Sequence, residues 1–231
     1  MDVAAGTLVL WVGWFYFNGG SAASMYNPRN NSVCKIIMNT IIGAGAGGVT
    51  NAYLRPVIFK TYSKYAKHDL FAACDGVFAG LVGITACCNN VEVWTAFVVG
   101  VISALISIGA IALVKRCGID DPINAAAIHT SCGIWGLIAV GIFDNSKGLI
   151  SGNKPEMGRF FGYQICGAVV IIAWTLACNI PLFFTMKYSK ILRVPLIYEI
   201  IGLDYCECGK SFPAWLVSSD VKVSVKECIE I

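Results

Sequence analysis

Charged side chains are scarce in this chain. Asp, Glu, Lys and Arg make up 13% of its 231 residues, against about 25% in an ordinary soluble domain. The deficit extends along most of the chain, and hydrophobic residues account for 57% of it. This composition excludes a soluble globular protein and predicts a polytopic membrane protein. The formal net charge of +3 is too small to indicate nucleic-acid binding.

Histidine is scarce as well, with two residues beside 14 acidic ones. One histidine inside an apolar segment, without a nucleophile or a second ligand, does not support a membrane enzyme, so we predict no enzymatic activity. The 11 cysteines scatter through mostly apolar segments, where cysteine acts as a small hydrophobe. They predict no disulfide framework and no cofactor. Cys206 and Cys208 form a weak metal candidate because no second ligand pair accompanies them.

Six apolar segments of near membrane-spanning length predict an all-α membrane bundle. We expect residues 1–186 to form the transmembrane domain and residues 187–231 a polar cytoplasmic tail. Two G-x-x-x-G pairs, Gly43 with Gly47 and Gly76 with Gly80, indicate closely packed helices. More Lys and Arg residues lie on the side that holds both termini, which favours a cytoplasmic position for both. The predicted spans are 3–21, 36–53, 70–87, 93–114, 122–143 and 160–186.

The fifth segment places a histidine deep inside an apolar run. Asp121 is predicted to N-cap this helix, and Pro122 suits its first turn. Eight residues at about 1.5 Å each then put His129 roughly 12 Å beyond the cap, near the midplane of the hydrocarbon. An ionisable group at that depth usually faces a partner or a pathway. Small neighbours around it leave room for either a facing helix, with Asp75 as a doubtful partner, or a narrow lumen.

One face of the first segment is aromatic and ends in a hydroxyl. Leu10, Trp14, Phe17 and Ser21 recur at helical spacing. Aromatic faces attract cations, and a hydroxyl accepts a hydrogen bond from an ammonium-like donor. The pattern therefore fits a cation site above an apolar gate. Core packing or an interfacial aromatic belt explains the same spacing, because other aromatic residues cover the remaining faces.

Several motifs resemble those of the Amt/Mep ammonium transporter family, more closely than those of the Rhesus branch. Residues 13–21 (GWFYFNGGS) resemble its GWxxFNxGS signature, and residues 79–85 (AGLVGIT) resemble a second family segment. Residues 118–136, with the DDP triplet, His129 and the GIWG ending, resemble a third. In the tail, LRVP at 192–195 and EIIGLD at 199–204 resemble a fourth. The tail departs from the family pattern at 206–209 (CECG), where the family has His before Gly.

The resemblance implies a fold of eleven helices, built from two inverted five-helix repeats and a last long helix, and a trimer with one pore per subunit. This chain resembles helices six to eleven. By the same resemblance, Phe17 is one of two gating phenylalanines, and Ser21 supplies the hydroxyl of the outer recruitment site. Trp14 and His129 line the pore, while Asn18, Asp121 and Pro122 have structural roles.

The implied substrate is ammonium or ammonia, with methylammonium as its analogue. The implied partners are membrane lipid and either further copies in a homotrimer or related transporter subunits, in the plasma membrane. The first repeat of the family has no counterpart in this sequence, so three interpretations stay open. The chain is a piece of a longer transporter, a half-transporter that needs a separate first half, or a non-conducting subunit that regulates intact transporters.

Overall fold

The computed structural model describes residues 2–22, 32–59, 69–152, 155–195, 198–199 and 202–203. Every regular element in these ranges is a helix. The helices are α1 (Asp2–Gly20), α2 (Ser32–Phe59), α3 (Leu70–Thr85), α4 (Val93–Arg116), α5 (Ala125–Phe143) and α6 (Pro155–Tyr188). All six predicted apolar segments therefore lie in helices, and the all-α prediction is confirmed for the described part of the chain. His68 and the Cys206–Cys208 pair lie outside it.

Four of these helices are long and apolar enough to cross a membrane: α2, α4, α5 and α6. The prediction of six spans is thus supported for four. Helix α3 has 16 residues, which at about 1.5 Å each reach roughly 24 Å, short of a hydrocarbon core of about 30 Å. Helix α1 has 19 residues but carries Asp2 and Asn18. The described part of the chain nevertheless has the apolar helices of a membrane protein.

Helix α2 runs further than its sequence predicts. We expected it to end near Tyr53, because Arg55 and Pro56 follow, but it continues to Phe59 with Pro56 inside it. The Arg55 side chain is not free in solvent or lipid, since it forms an ion pair with Asp75 of α3. Charged side chains inside apolar segments commonly pair with one another in this way.

Helices α2, α3 and α4 form the centre of the bundle, with α1 packed on α2 and α3, and α5 packed on α3 and α4. Glycines bring the central backbones into direct contact. A Cβ atom added at Gly80 or Gly100 would overlap the Gly43 carbonyl, and one added at Gly76 would overlap the Gly47 carbonyl. The predicted G-x-x-x-G pairs therefore lie at helix contacts.

Two apolar clusters add to the glycine contacts. One joins α2, α4, the end of α3 and the later part of α5, and the other joins α3, α4 and the start of α5. Asp69 begins α3 as its N-cap and accepts a hydrogen bond from the Phe71 N–H at 2.9 Å. The chain divides into two compact units, residues 1–170 and 171–231. The side-chain contacts described below belong to the first unit.

Candidate functional site

Trp14 is the centre of the aromatic face of α1, and a side-chain hydrogen bond fixes its ring. The indole Nε1–H donates to the Thr85 hydroxyl at 2.8 Å, and that hydroxyl donates to the Leu81 carbonyl at 2.7 Å. Thr85 is the last residue of α3. The bond therefore ties α1 to α3 at a point far apart in sequence and gives the Trp14 ring a defined orientation.

The His129 ring stacks on Trp14. Their ring centroids lie 6.3 Å apart, with 26° between the ring planes, within the range in which aromatic pairs attract. The His129 side chain is exposed on the surface of this chain. Among the described residues it has no hydrogen-bond partner, so Asp75 is not the partner that the sequence left open. The stacked pair joins α1 to α5 and places an imidazole beside the aromatic face.

Phe17 and Ser21 extend this arrangement along α1. The Phe17 ring lies 6.3 Å from the Trp14 ring, tilted by 57°, and its side chain is 61% exposed. The Ser21 hydroxyl donates to the Phe17 carbonyl at 2.7 Å. Its oxygen keeps lone pairs that accept a hydrogen bond from a bound donor. The structure therefore brings Trp14, Phe17 and His129 together, with Ser21 one turn further along the same face.

Asn18 lies between this face and the core. It is 3% exposed, and its Nδ2 donates to the Thr40 hydroxyl of α2 at 3.0 Å. Thr40 in turn donates to the Ile36 carbonyl at 2.7 Å. Helix α1 is thus held by two side-chain hydrogen bonds, Trp14 to α3 and Asn18 to α2. With α1 held in this orientation, the Phe17 side chain remains exposed.

Trp14 and His129 both line a cavity of about 780 Å³. Its lining combines apolar and aromatic side chains with charged ones, so a solute in the cavity contacts both kinds. The apolar and aromatic residues include Leu10, Trp14, Phe78 and Ile128, and the charged residues include Arg55, Asp75, Lys115, Asp120 and Asp121.

The start of α5 differs from the sequence prediction. The helix begins at Ala125, and its N-cap is Asn124 in the left-handed conformation, with φ at 55°. Residues 121–124 form a turn instead, closed by a hydrogen bond from the Asn124 N–H to the Asp121 carbonyl at 3.1 Å. Asp121 is thus not the N-cap, although its carboxylate still accepts from the Ala127 N–H at 3.0 Å. Pro122 is exposed in this turn and lies outside the helix.

The later start changes the depth of His129. His129 is the fourth residue after Ala125, so it lies about 6 Å along the helix and not in the middle of the span. The left-handed residue Asn124 prevents the helix from starting earlier, and the Asp-Asp-Pro pattern does not predict this. The Trp14–His129 contact therefore lies near the N-terminal end of α5, where Asp120 and Asp121 also line the cavity.

Arg55, Asp75 and Asn124 also line this cavity, and the sequence did not predict that they contact one another. Asp75 accepts hydrogen bonds from Arg55 of α2 and from Asn124, the second at 2.8 Å. The side chains of Arg55 and Asp75 are 13% and 11% exposed. The sequence signal for this contact is the presence of two opposite charges, Arg55 and Asp75, inside apolar segments, because such charges commonly pair. Among the described residues, no group of three His, Cys, Asp or Glu side chains is arranged to hold a metal ion.

Comparison with known proteins finds ammonium transporters among the relatives of this chain. The chain is 37% identical over 210 residues to the ammonium transporter Amt2 of Archaeoglobus fulgidus, covering 87% of this chain and 43% of that protein. It is 30% identical over 226 residues to ammonium transporter 1 member 1 of Arabidopsis thaliana, covering 90% and 44%. The chain thus spans less than half the length of these relatives.

A solved structure gives the same result for the fold. The crystal structure of Mep2 from Saccharomyces cerevisiae superposes with a TM-score of 0.69 at 30% sequence identity, covering 82% of this chain and 42% of that one. The model of the Ammonium Transporter Family matches residues 2–211, which include the aromatic face of α1, His129 and the described part of the tail. On these grounds, the chain belongs to the ammonium transporter family.

Proposed function

We propose that this chain takes part in the movement of ammonium or ammonia across a membrane. Trp14, Phe17 and His129 line the substrate pathway, with Ser21 at its outer end. The observation that carries the proposal is the stacking of His129 on Trp14 at 6.3 Å. It joins an imidazole and a cation-attracting aromatic face at the lining of a cavity. The relatives named above are ammonium transporters, and this chain shares their sequence over most of its length.

The chemistry of the substrate explains why these side chains suit it. An ammonium ion loses its water shell on entering an apolar passage, and that loss is costly. The Phe17 and Trp14 rings and the Ser21 oxygen offset part of this cost at the entrance. A proton acceptor converts the ion to neutral ammonia, which crosses apolar surroundings more easily. Potassium carries no proton to release, so the same passage discriminates against it.

The chain by itself supplies one wall of this pathway. His129 is exposed, and Phe17 is 61% exposed. A lumen that excludes water needs a second wall opposite them. We infer that all six helices lie in the membrane as part of a larger assembly, which includes a further set of helices and further copies as a trimer. A cytoplasmic C-terminus fits the distribution of Lys and Arg, and the family resemblance implies the plasma membrane.

Methylammonium uptake tests this function. The 231-residue chain is expressed in cells that lack their own ammonium transporters, alone and together with the preceding half of the Archaeoglobus relative. Surface expression is measured for each. The variants are His129→Ala and Trp14→Leu, and the control is Tyr16→Leu, which removes an exposed ring from another face of the same helix.

The expected result is uptake that His129→Ala and Trp14→Leu abolish and Tyr16→Leu leaves near the wild-type rate. Uptake that appears only with the added half establishes that the second wall is required. Wild-type uptake in the His129→Ala chain would remove this residue from the pathway. No uptake in either combination, with chain at the cell surface, would overturn the transport proposal and favour a regulatory subunit.

A further inference from the structure

Three side chains from separate parts of the sequence meet near the start of α5. Arg55 of α2 and Asn124 at the start of α5 both bind one carboxylate oxygen, Oδ2 of Asp75 in α3. We name these three residues the α5 latch. The latch connects Asn124, the N-cap of α5, to two helices of the central bundle, α2 and α3. Both charged members are largely buried, with 13% and 11% of their side chains exposed.

A gain in folding stability does not explain why these three residues are arranged in this way. A buried ion pair contributes little net stability, because removing both charges from water offsets their attraction. Asn124 also adopts a left-handed conformation, with φ at 55°, which is unfavourable for most residues and tolerated by Asn. Its side chain makes no capping hydrogen bond to its own helix and is directed to Asp75 instead. Asp121 serves the free helix N–H at Ala127 in its place.

A second contact holds α5 beyond His129. The Cys132 thiol donates to the Ser103 carbonyl at 3.4 Å. A Cβ atom added at Gly136 of α5 would lie 2.8 Å from the Gly83 carbonyl oxygen of α3, so α5 and α3 are in direct contact at this position. Helix α5 is therefore fixed on both sides of His129, at Asn124 and at Cys132–Gly136. Five residues, or about 7.5 Å of helix, separate the latch from the histidine.

We propose that the α5 latch is a positioning device for His129. By fixing the rotation and height of the first turn of α5, it holds the imidazole against the Trp14 ring. Functional groups need to be held within about 0.5 Å of their working geometry. Ala127 and Ile128 pack into the apolar cluster with α3 and α4, and the latch adds directional hydrogen bonds that apolar packing does not supply. The effect on transport rests on the proposed function, but the Trp14–His129 contact is measurable without transport.

Histidine NMR measures that contact directly. The 231-residue chain is labelled with ¹³C,¹⁵N-histidine in lipid nanodiscs, and His68→Gln in every sample leaves one histidine. A stacked Trp14 ring displaces the His129 ring-proton resonances, and Trp14→Leu supplies their unstacked positions. Helix content and thermal unfolding midpoint are recorded for each variant, so that only folded chains are compared.

Two variants break the latch in different ways. Asn124→Gly retains access to the left-handed backbone but removes the amide that binds Asp75. Asp75→Asn retains a hydrogen-bond acceptor but removes the charge that pairs with Arg55. The matched control is Glu92→Gln, which removes the charge from a different ion pair, Lys35–Glu92, that does not touch the start of α5.

We expect Asn124→Gly and Asp75→Asn to move the His129 resonances most of the way to their unstacked positions, while Glu92→Gln leaves them unchanged. Resonances that stay at the wild-type positions in folded Asn124→Gly and Asp75→Asn chains would overturn the latch. Methylammonium uptake is measured for the same variants. Displaced resonances with undiminished uptake would leave the latch standing and instead contradict the role of His129 in transport.

Discussion

The centre of the bundle and the wall formed by α1 and α5 are built in opposite ways. In the centre, α2, α3 and α4 touch through backbone atoms at glycines, including Gly43, Gly80 and Gly100. On the wall, large rings at Trp14, Phe17 and His129 stand out from their helices, and the last two are exposed. The first region leaves no space for an added atom, whereas the second leaves whole side chains uncovered.

This difference separates the residues that fold the chain from those that contact substrate. Lipid offers apolar side chains the same surroundings as another helix, so association in membranes depends on close packing and hydrogen bonds. The glycine contacts supply that packing. The exposed rings on the wall make few such contacts, so their replacement is expected to affect transport much more than folding.

The largest effect is expected from adding one methyl group to the centre. Gly80→Ala places a Cβ atom on the Gly43 carbonyl, and helix backbones must separate to relieve the overlap. Overpacking of this kind costs about 1–3 kcal/mol, occasionally more. We therefore expect a large drop in the thermal unfolding midpoint and a loss of monodisperse protein in detergent, measured by fluorescence-detected size-exclusion chromatography.

Gly45→Ala is the matched control in α2, because nothing lies within 4 Å of a Cβ atom added there. Alanine at a free helix position is more favourable than glycine by about 0.5–1 kcal/mol, so this variant should be as stable as the parent chain or slightly more so. Equal unfolding midpoints for Gly80→Ala and Gly45→Ala would contradict the close contact of α2 and α3.

A smaller effect is expected where the two regions meet, at the Trp14–Thr85 hydrogen bond. Thr85→Val keeps the shape of the side chain but leaves the Trp14 N–H without its acceptor at 2.8 Å. An unsatisfied donor costs about 1–3 kcal/mol when buried, and Trp14 is half-buried, so the lower end applies. We expect a modest fall in the unfolding midpoint and a displacement of the His129 resonances.

Thr85→Ser restores the hydroxyl and serves as the control for that change. It should return the His129 resonances to their positions in the parent chain while losing one methyl group. If Thr85→Val and Thr85→Ser gave the same resonances, the hydrogen bond would not set the orientation of the Trp14 ring. The wall would then depend on packing alone.

Composition and periodicity predicted most of the fold. The six apolar segments lie in six helices, and the G-x-x-x-G pairs lie at helix contacts. The errors concern the helix ends. Helix α2 passes Arg55 and Pro56 because Asp75 pairs with Arg55, and that partner lies 20 residues away in sequence. No local pattern contains such a contact.

Less of the candidate site than of the fold could be predicted from the sequence. The face of α1 that carries Trp14 and Phe17 follows from helical spacing, but its approach to His129 was expected only through the family resemblance. The sequence does not predict the left-handed N-cap at Asn124. Asp121 and Pro122 form a more familiar helix start signal, and the role of Asn124 depends on its hydrogen bond to Asp75, which is distant in sequence. Contacts between helices decide these features, and the spacing of residues within one helix does not report them.

The smallest effect is expected at an ion pair outside both regions. Glu92 precedes α4 and accepts hydrogen bonds from Lys35 at 3.0 Å and from Asn145 at 2.7 Å. The hydrogen bond and charge of Lys35, and then the bond from Asn145, hold the pKa of Glu92 below its ordinary value of 4.5. The folded chain therefore favours the carboxylate. This stabilisation is complete above pH 4.5 and is lost as the pH falls through the lowered pKa.

We expect the unfolding midpoint to fall as the pH is lowered from about 5.5 to about 3.5, and to fall less steeply in Glu92→Gln, which no longer titrates there. Lys35→Gln should flatten the profile in the same way, and adding it to Glu92→Gln should change little further, because both remove one interaction. Both side chains are partly exposed, so the change in slope is small. Parallel profiles for the parent chain and Glu92→Gln would show that this pair does not contribute to stability, and other carboxylates would then account for the acid sensitivity of the fold.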